Sequence, residues 1–155
     1  PYCVLGGAAL AQGRGERLQP LPPLPPCWVV LCKPAFSIST PALFRSWDSC
    51  KPRLRPDTKG LIAGLEAGDL VAVARRIFNV FEAVLPPRQR REIESIKTAL
   101  IREGALGAAM SGSGPTVFGL FDREAEAKQA VQVLRESYAE VFLTRPLADF
   151  SPGEV

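Results

Sequence analysis

The amino-acid sequence predicts an α+β fold: a four-stranded, mostly antiparallel β-sheet with helices on one face. Three observations predict it. From residue 27 onward the patterns run strand, several helices, hairpin, helix, strand. The stretch "LGAAMSGSGPTVFGLF" (106–121) sets a Gly/Ser/Pro turn between two apolar runs, which reads as a β-hairpin. Both faces of "TVFGLF" are apolar, as in a central strand covered on either side.

At the start of the chain, "YCVLGGAALA" (2–11) is apolar and broken by Gly6-Gly7, giving two short strand pieces around a turn or bulge. "QGRGERL" (12–18) turns into another extended piece. "PLPPLPP" (20–26) can be neither helix nor central strand. It reads as an extended crossover between two structural units, although its P-x-x-P spacing is also that of an SH3 ligand. "CWVVLCK" (27–33) is a buried strand. In "ISTPALFRSWD" (38–48), Thr40 serves as N-cap and Pro41 as the first helical residue.

A helix over 57–67 is stopped by Gly68, and Asp69 caps the next. That second helix carries Leu70, Val73, Ile77, Phe81 and Val84 at helical spacing until Pro86-Pro87 ends it. A third covers about 89–103, with Ile93, Ile96 and Leu100 on one stripe and Gly104 at its C-terminus. After the hairpin, Asp122 caps a helix to about Ser137. Glu124 and Glu126 occupy its first turns, where the helix dipole favours acids. "EVFLTR" (140–145) is the last strand, and "PLADFSPGEV" (146–155) a loose tail.

With 155 residues and 46% hydrophobic content, the chain can bury a core without disulfide or metal staples. A formal charge of +3 is too mild to imply nucleic acid. The basic stretches at 51–56 and 88–91 are read as solvated faces. Cys3, Cys27, Cys32 and Cys50 form no C-x-x-C pair and there is no histidine, so no metal site is expected. The cysteines are read as reduced thiols of a cytosolic protein. No apolar stretch is long enough to span a bilayer. The chain opens on Pro1 in what already reads as strand, as a piece with sequence upstream of it would.

The loop Ser111, Gly112, Ser113, Gly114 is not a Walker P-loop, which needs G-x-x-x-x-G-K-[ST] before a helix. It is not a dinucleotide fingerprint either, because the third glycine is missing and a strand follows. On the residues alone two readings stand. One is a tight hairpin turn needing positive φ. The other is a nest of backbone N–H groups, with the serine hydroxyls as further donors, that holds an anion.

The loop does not stand by itself. "CVLGGAALAQGRGE" (3–16), "FSISTPALF" (36–44), "LRPDTKGLIAGLEAGDL" (54–70) and "NVFEAVLPP" (79–87) precede it in order. Together they resemble the GHMP kinases over residues 1 to about 147, and within them the branch acting on a cytidine-diphosphate-linked methylerythritol. The resemblance implies a ferredoxin-like C-terminal kinase domain over 27–147. Residues 1–26 would be the end of an N-terminal kinase domain, with strands left over from its sheet, plus the crossover, and 148–155 a tail. It implies transfer of the ATP γ-phosphate, with Mg²⁺, to a hydroxyl of that small-molecule substrate in the cytoplasmic non-mevalonate route to isoprenoids. It implies no nucleic-acid or membrane partner.

The resemblance also carries site residues. Ser111, Gly112, Ser113 and Gly114 match the family's third motif, near the transferred phosphate. Phe44 matches an aromatic that stacks on cytosine, against the plainer reading of a core residue on one stripe with Trp47. Thr40 matches a threonine of the same pocket, compatible with its capping role. Asn79 and Glu82 match an N-x-x-E pattern and receive no role. Gly6, Gly7, Gly13 and Gly15 are backbone-geometry residues, and Ala8 departs from the threonine of many members.

Three family elements have no counterpart here: a segment with a catalytic lysine, the Gly/Ser-rich ATP loop, and an aspartate base in a G-A-D-x-P-F pattern. Pro1-Tyr2-Cys3 matches the P-F-C on the C-terminal side of that aspartate, which would place the base two residues before Pro1. ATP and Mg²⁺ would then be held mainly upstream. No catalytic residue is expected within the chain, Asp48, Asp57 and Asp69 being in loop or cap contexts, and the chain alone is expected to lack kinase activity. The alternatives are another GHMP small-molecule kinase, such as one acting on homoserine or mevalonate, and a non-catalytic ferredoxin-like binding module.

Overall fold

The structure, a computed structural model, describes residues 7–50 and 55–147. The strand piece expected before Gly7, Gly6, Cys3 and the 148–155 tail lie outside the described residues.

Strands β1 (Ala8–Gln12) and β2 (Arg17–Leu21) form an antiparallel hairpin, in register from Ala8 opposite Leu21 to Gln12 opposite Arg17. Pro20 is tolerated within β2 because each strand of a two-stranded sheet is an edge. The proline crossover then leads, without regular structure, to the main sheet.

That sheet holds β3 (Trp28–Lys33), β4 (Gly107–Met110), β5 (Val117–Phe121) and β6 (Glu140–Thr144) in the order β4-β5-β3-β6. Every neighbouring pair is antiparallel. The hairpin β4–β5 and the central position of β5 are as expected. Helix α4 (Pro87–Arg102) crosses between β3 and β4, and α5 (Glu124–Arg135) between β5 and β6. This is the split βαβ arrangement of a ferredoxin-like fold.

One sheet face carries the main core. Val30 and Cys32 from β3 and Val117 and Phe121 from β5 meet Ile93, Ile96 and Leu100 of α4, all at most 1% exposed. Burial of such side chains contributes about 1.5–3 kcal/mol each. The i, i+3, i+7 spacing of the α4 residues is what points them at the sheet together.

The opposite face corrects the expectation of helices on one side only. Helices α2 (Thr58–Glu66) and α3 (Leu70–Ala74) follow α1 (Thr40–Cys50). Leu70, Ala74 and Ile77 pack with Val29, Phe118 and Leu120 on the second face. The same fact breaks the long helix expected between Asp69 and Pro86. Ile77 belongs to this second cluster, whereas Phe81 and Val84 pack against the first. A single straight helix cannot serve both faces. The chain therefore leaves α3 after Ala74 and re-forms as a short 3₁₀ turn (Val80–Val84) capped by Asn79.

Three boundaries also move. Thr40 is the first helical residue of α1 rather than its N-cap, for the Ser39 carbonyl accepts the Leu43 N–H at 3.0 Å. Asp122 does not cap α5. The chain stays extended through Arg123, which takes the N-cap position without a side-chain cap bond. Pro87 starts α4 rather than closing the preceding helix, consistent with proline's fit at a first helical position. Asp69 caps α3 as read, its carboxylate accepting the Ala72 N–H at 2.9 Å, whereas Asp57, read as the start of the helix over 57–67, is the N-cap of α2 and accepts the Gly60 N–H at 3.0 Å. The Gly60 bond, then Arg76, holds the Asp57 carboxyl below the usual carboxylate range.

Candidate active site at the glycine loop

The β4–β5 turn is a tight loop. Ser111 N–H donates to the Thr116 carbonyl at 2.7 Å, and Gly114 N–H to the Ser111 carbonyl at 2.8 Å. Gly112 has φ +54° and Gly114 φ +77°, left-handed conformations that favour glycine, and the Gly114–Pro115 peptide is cis. The two glycines differ in their surroundings. A Cβ on Gly112 would meet open space, whereas one on Gly114 would collide with the Met110 sulfur and lie 2.9 Å from Ile38 Cδ1.

Two side chains assigned no role in the sequence grip this loop. Asn79 Nδ2 donates to the carbonyls of Met110 and Gly112, each at 2.7 Å. Its Oδ1 accepts the Phe81 N–H at 2.9 Å, capping the 3₁₀ turn. One helical turn on, Glu82 Oε1 accepts the Met110 N–H at 2.7 Å while Oε2 pairs with Lys97 of α4. The signal for this was the N-x-x-E spacing, which puts both side chains on one side of a single turn. What it could not tell was the partner, 31 residues downstream.

The structure brings the other expected site residues alongside. Thr40 Oγ1 lies 2.9 Å from Ser113 Oγ. Phe44, one turn further along α1, is 51% exposed and therefore no core residue, while its neighbour Leu43 is buried. The Phe44 ring meets Phe81 edge-on, with centroids 4.9 Å apart and planes at 77°. Trp47 approaches the same Phe81 at 6.4 Å. Phe81 thus joins α1 to the Asn79–Glu82 turn. An open cleft of about 470 Å³ runs beside it, lined by Phe78, Asn79, Phe81, Met110, Ser111 and Gly112.

The arrangement offers hydroxyl and amide donors to an anion, and an exposed aromatic ring to a planar group. Glu82, whose carboxylate reaches the root of the loop, is committed to Met110 and Lys97. Among the described residues no group of three or more His, Cys, Asp or Glu side chains is placed to hold a metal ion. No helix among them is long and apolar enough to cross a membrane.

Residues 61–140 match the family model described as GHMP kinases C terminal. The chain is 43% identical over 150 residues to 4-diphosphocytidyl-2-C-methyl-D-erythritol kinase of Moorella thermoacetica, covering 95% of this chain and 52% of that protein. A crystal structure of 4-(cytidine 5'-diphospho)-2C-methyl-D-erythritol kinase superposes with a TM-score of 0.73 at 27% identity, over 92% of this chain and 50% of that one. Homoserine kinase from Cytophaga hutchinsonii shares the fold, with a TM-score of 0.67 at 21% identity over 92% of this chain and 48% of that one. The chain spans about half the length of the curated relatives it matches.

Proposed function

This chain belongs to the GHMP kinase C-terminal family, and from that premise we propose that it is the second half of an ATP-dependent small-molecule kinase. The substrate is 4-diphosphocytidyl-2-C-methyl-D-erythritol, and the product carries the ATP γ-phosphate on one of its hydroxyls. The reaction belongs to the non-mevalonate route to isoprenoids and, with this assignment, to the cytoplasm. The observation that carries the reading is the contact between Thr40 and Ser113. It sets the helix that bears Phe44 against the glycine loop. One residue pair thus joins a surface suited to a cytosine ring to a loop suited to a phosphate.

In this reading Phe44 stacks on the base, Thr40 lines the same pocket, and Ser111, Gly112, Ser113 and Gly114 lie beside the phosphate. Phosphoryl transfer needs positioning and charge neutralisation more than covalent chemistry by the protein. This chain's share is positioning. Mg²⁺ does not fit the residues around the loop, since Glu82 is already engaged on both oxygens. The metal, most of the ATP contacts and the base that takes the substrate's proton are assigned to the upstream half. The 155 residues alone are inactive.

The test is an assay of the full-length gene product with ATP and Mg²⁺, offering the cytidine-diphosphate substrate beside homoserine and mevalonate. Phosphorylation of the first only is expected. Equal or better turnover of either competitor overturns the substrate assignment, and turnover by the 155 residues alone overturns the division of labour.

A further inference from the structure

Asn79 uses every polar atom of its side chain on local backbone: Oδ1 on the Phe81 N–H, and Nδ2 on the carbonyls of Met110 and Gly112. The Gly112 bond has a consequence for the next residue. In a trans peptide, the C=O and N–H of one unit point in opposite directions. Gly112–Ser113 is such a unit, the cis bond lying further on at Gly114–Pro115. With the Gly112 carbonyl held on Asn79, the Ser113 N–H faces away from Asn79. It has no hydrogen-bond partner among the described residues. The Ser113 hydroxyl meanwhile lies on Thr40. Glu82 holds the root of the same loop through the Met110 N–H.

We propose that Asn79 is a positioning residue for phosphate: it locks the Gly112–Ser113 peptide so that the Ser113 N–H donates to an oxygen of the phosphate group at the loop. The proposal rests on the kinase reading above for the identity of that phosphate. Its geometry, however, concerns any polyphosphate at the loop. A donor held in place before the ligand arrives costs no reorganisation when charge develops on the transferred group. Without Asn79 the peptide is free to flip, since glycine at 112 sets little barrier against it.

The experiment titrates the ¹⁵N-labelled full-length gene product with tripolyphosphate, wild type beside Asn79→Asp. Aspartate keeps the acceptor for Phe81 but has no donor for the loop carbonyls. The Ser113 amide resonance shifts on titration of the wild type, and the shift is lost in the variant. In turnover the variant loses roughly 10-fold or more in kcat, while the KM for ATP stays within about twofold. A folded variant that keeps the Ser113 response, or that keeps its kcat, overturns the proposal, for Asn79 would then be a staple only. So does a wild-type Ser113 amide that ignores tripolyphosphate, a result that decides the matter even if Asn79→Asp does not fold. A protein whose Ser113 amide responds as stated but which does not phosphorylate the cytidine-diphosphate substrate overturns the functional assignment and leaves the role of Asn79 standing.

Discussion

Thr40 Oγ1 stands 2.9 Å from Ser113 Oγ, a contact between residues 73 positions apart in the chain. It ties the first residue of α1 to the tip of the β4–β5 loop. Both hydroxyls are solvent-accessible, so the bond competes with water and its net worth is small. A double-mutant cycle of Thr40→Val and Ser113→Ala, read by urea unfolding of the 155-residue chain, is expected to give a coupling of about 0.5 kcal/mol, toward the low end for a neutral hydrogen bond. Strict additivity of the two substitutions would mean that the hydroxyls do not interact in solution.

Phe44 separates stability from binding. Its ring is half exposed and touches Phe81 only edge-on, so little core is lost when it is truncated. In the full-length gene product, Phe44→Ala should weaken binding of the cytidine-diphosphate substrate by roughly 1–3 kcal/mol, the usual worth of a base stacked on an aromatic side chain. Calorimetric titration should find the affinity for ATP nearly unchanged. A parallel loss of both affinities, with a drop in melting temperature, would make Phe44 a folding residue instead.

The two loop glycines should respond differently to alanine. At Gly112 the added methyl enters open space, and the cost is the left-handed backbone alone, about 1–2 kcal/mol. Gly114→Ala bears a similar backbone cost and also drives its methyl into Met110, which is 1% exposed, and toward Ile38, so both side chains must shift within a packed surrounding. Overpacking of this kind adds about 1–3 kcal/mol. Chemical denaturation of the two single variants should therefore rank Gly114→Ala as clearly the less stable. The reverse ranking would contradict the loop geometry.

The cysteines should react in proportion to their access. Cys27 and Cys32 are 6% and 0% exposed. Burial, and then the neighbouring Glu92 carboxylate, pushes the Cys32 thiol up to about 12. At pH 8 its reactive thiolate is then on the order of 10⁻⁴ of the population. Cys50, at the end of α1, is exposed. Iodoacetamide on the folded chain at pH 8, followed by peptide mapping, should modify Cys50 while sparing Cys27 and Cys32 until denaturant is added. Native-state labelling of Cys32 at the pace of Cys50 would show that β3 is not buried as described.

Much of this architecture was legible in the residues because it depends on local rules. Apolar spacing in α4 and turn chemistry in the β4–β5 hairpin require no knowledge of distant partners, and neither does the cap at Asp69. The misreadings share a cause. The stripe from Leu70 to Val84 has helical spacing, yet Ile77 and Phe81 go to opposite faces of the sheet. Thr40-Pro41 has the look of a cap followed by a first turn, but the Thr40 hydroxyl is drawn to Ser113 instead. Asn79 and Glu82 carried a spacing without a partner, and their partner is a loop that comes into reach only once β4 is placed in the sheet.

Local patterns were enough for the α+β class, the β4–β5 hairpin, the inner place of β5 in the sheet, the α4 stripe and the presence of an unusual glycine loop, since each follows from the period and chemistry of neighbouring residues. Long-range packing was needed to break the expected helix before Pro86, to leave Phe44 in solvent, and to hold the loop on Asn79, Glu82 and Thr40. Those outcomes depend on contacts between residues tens of positions apart. Such contacts are set by how the two sheet faces are filled, which no local pattern encodes.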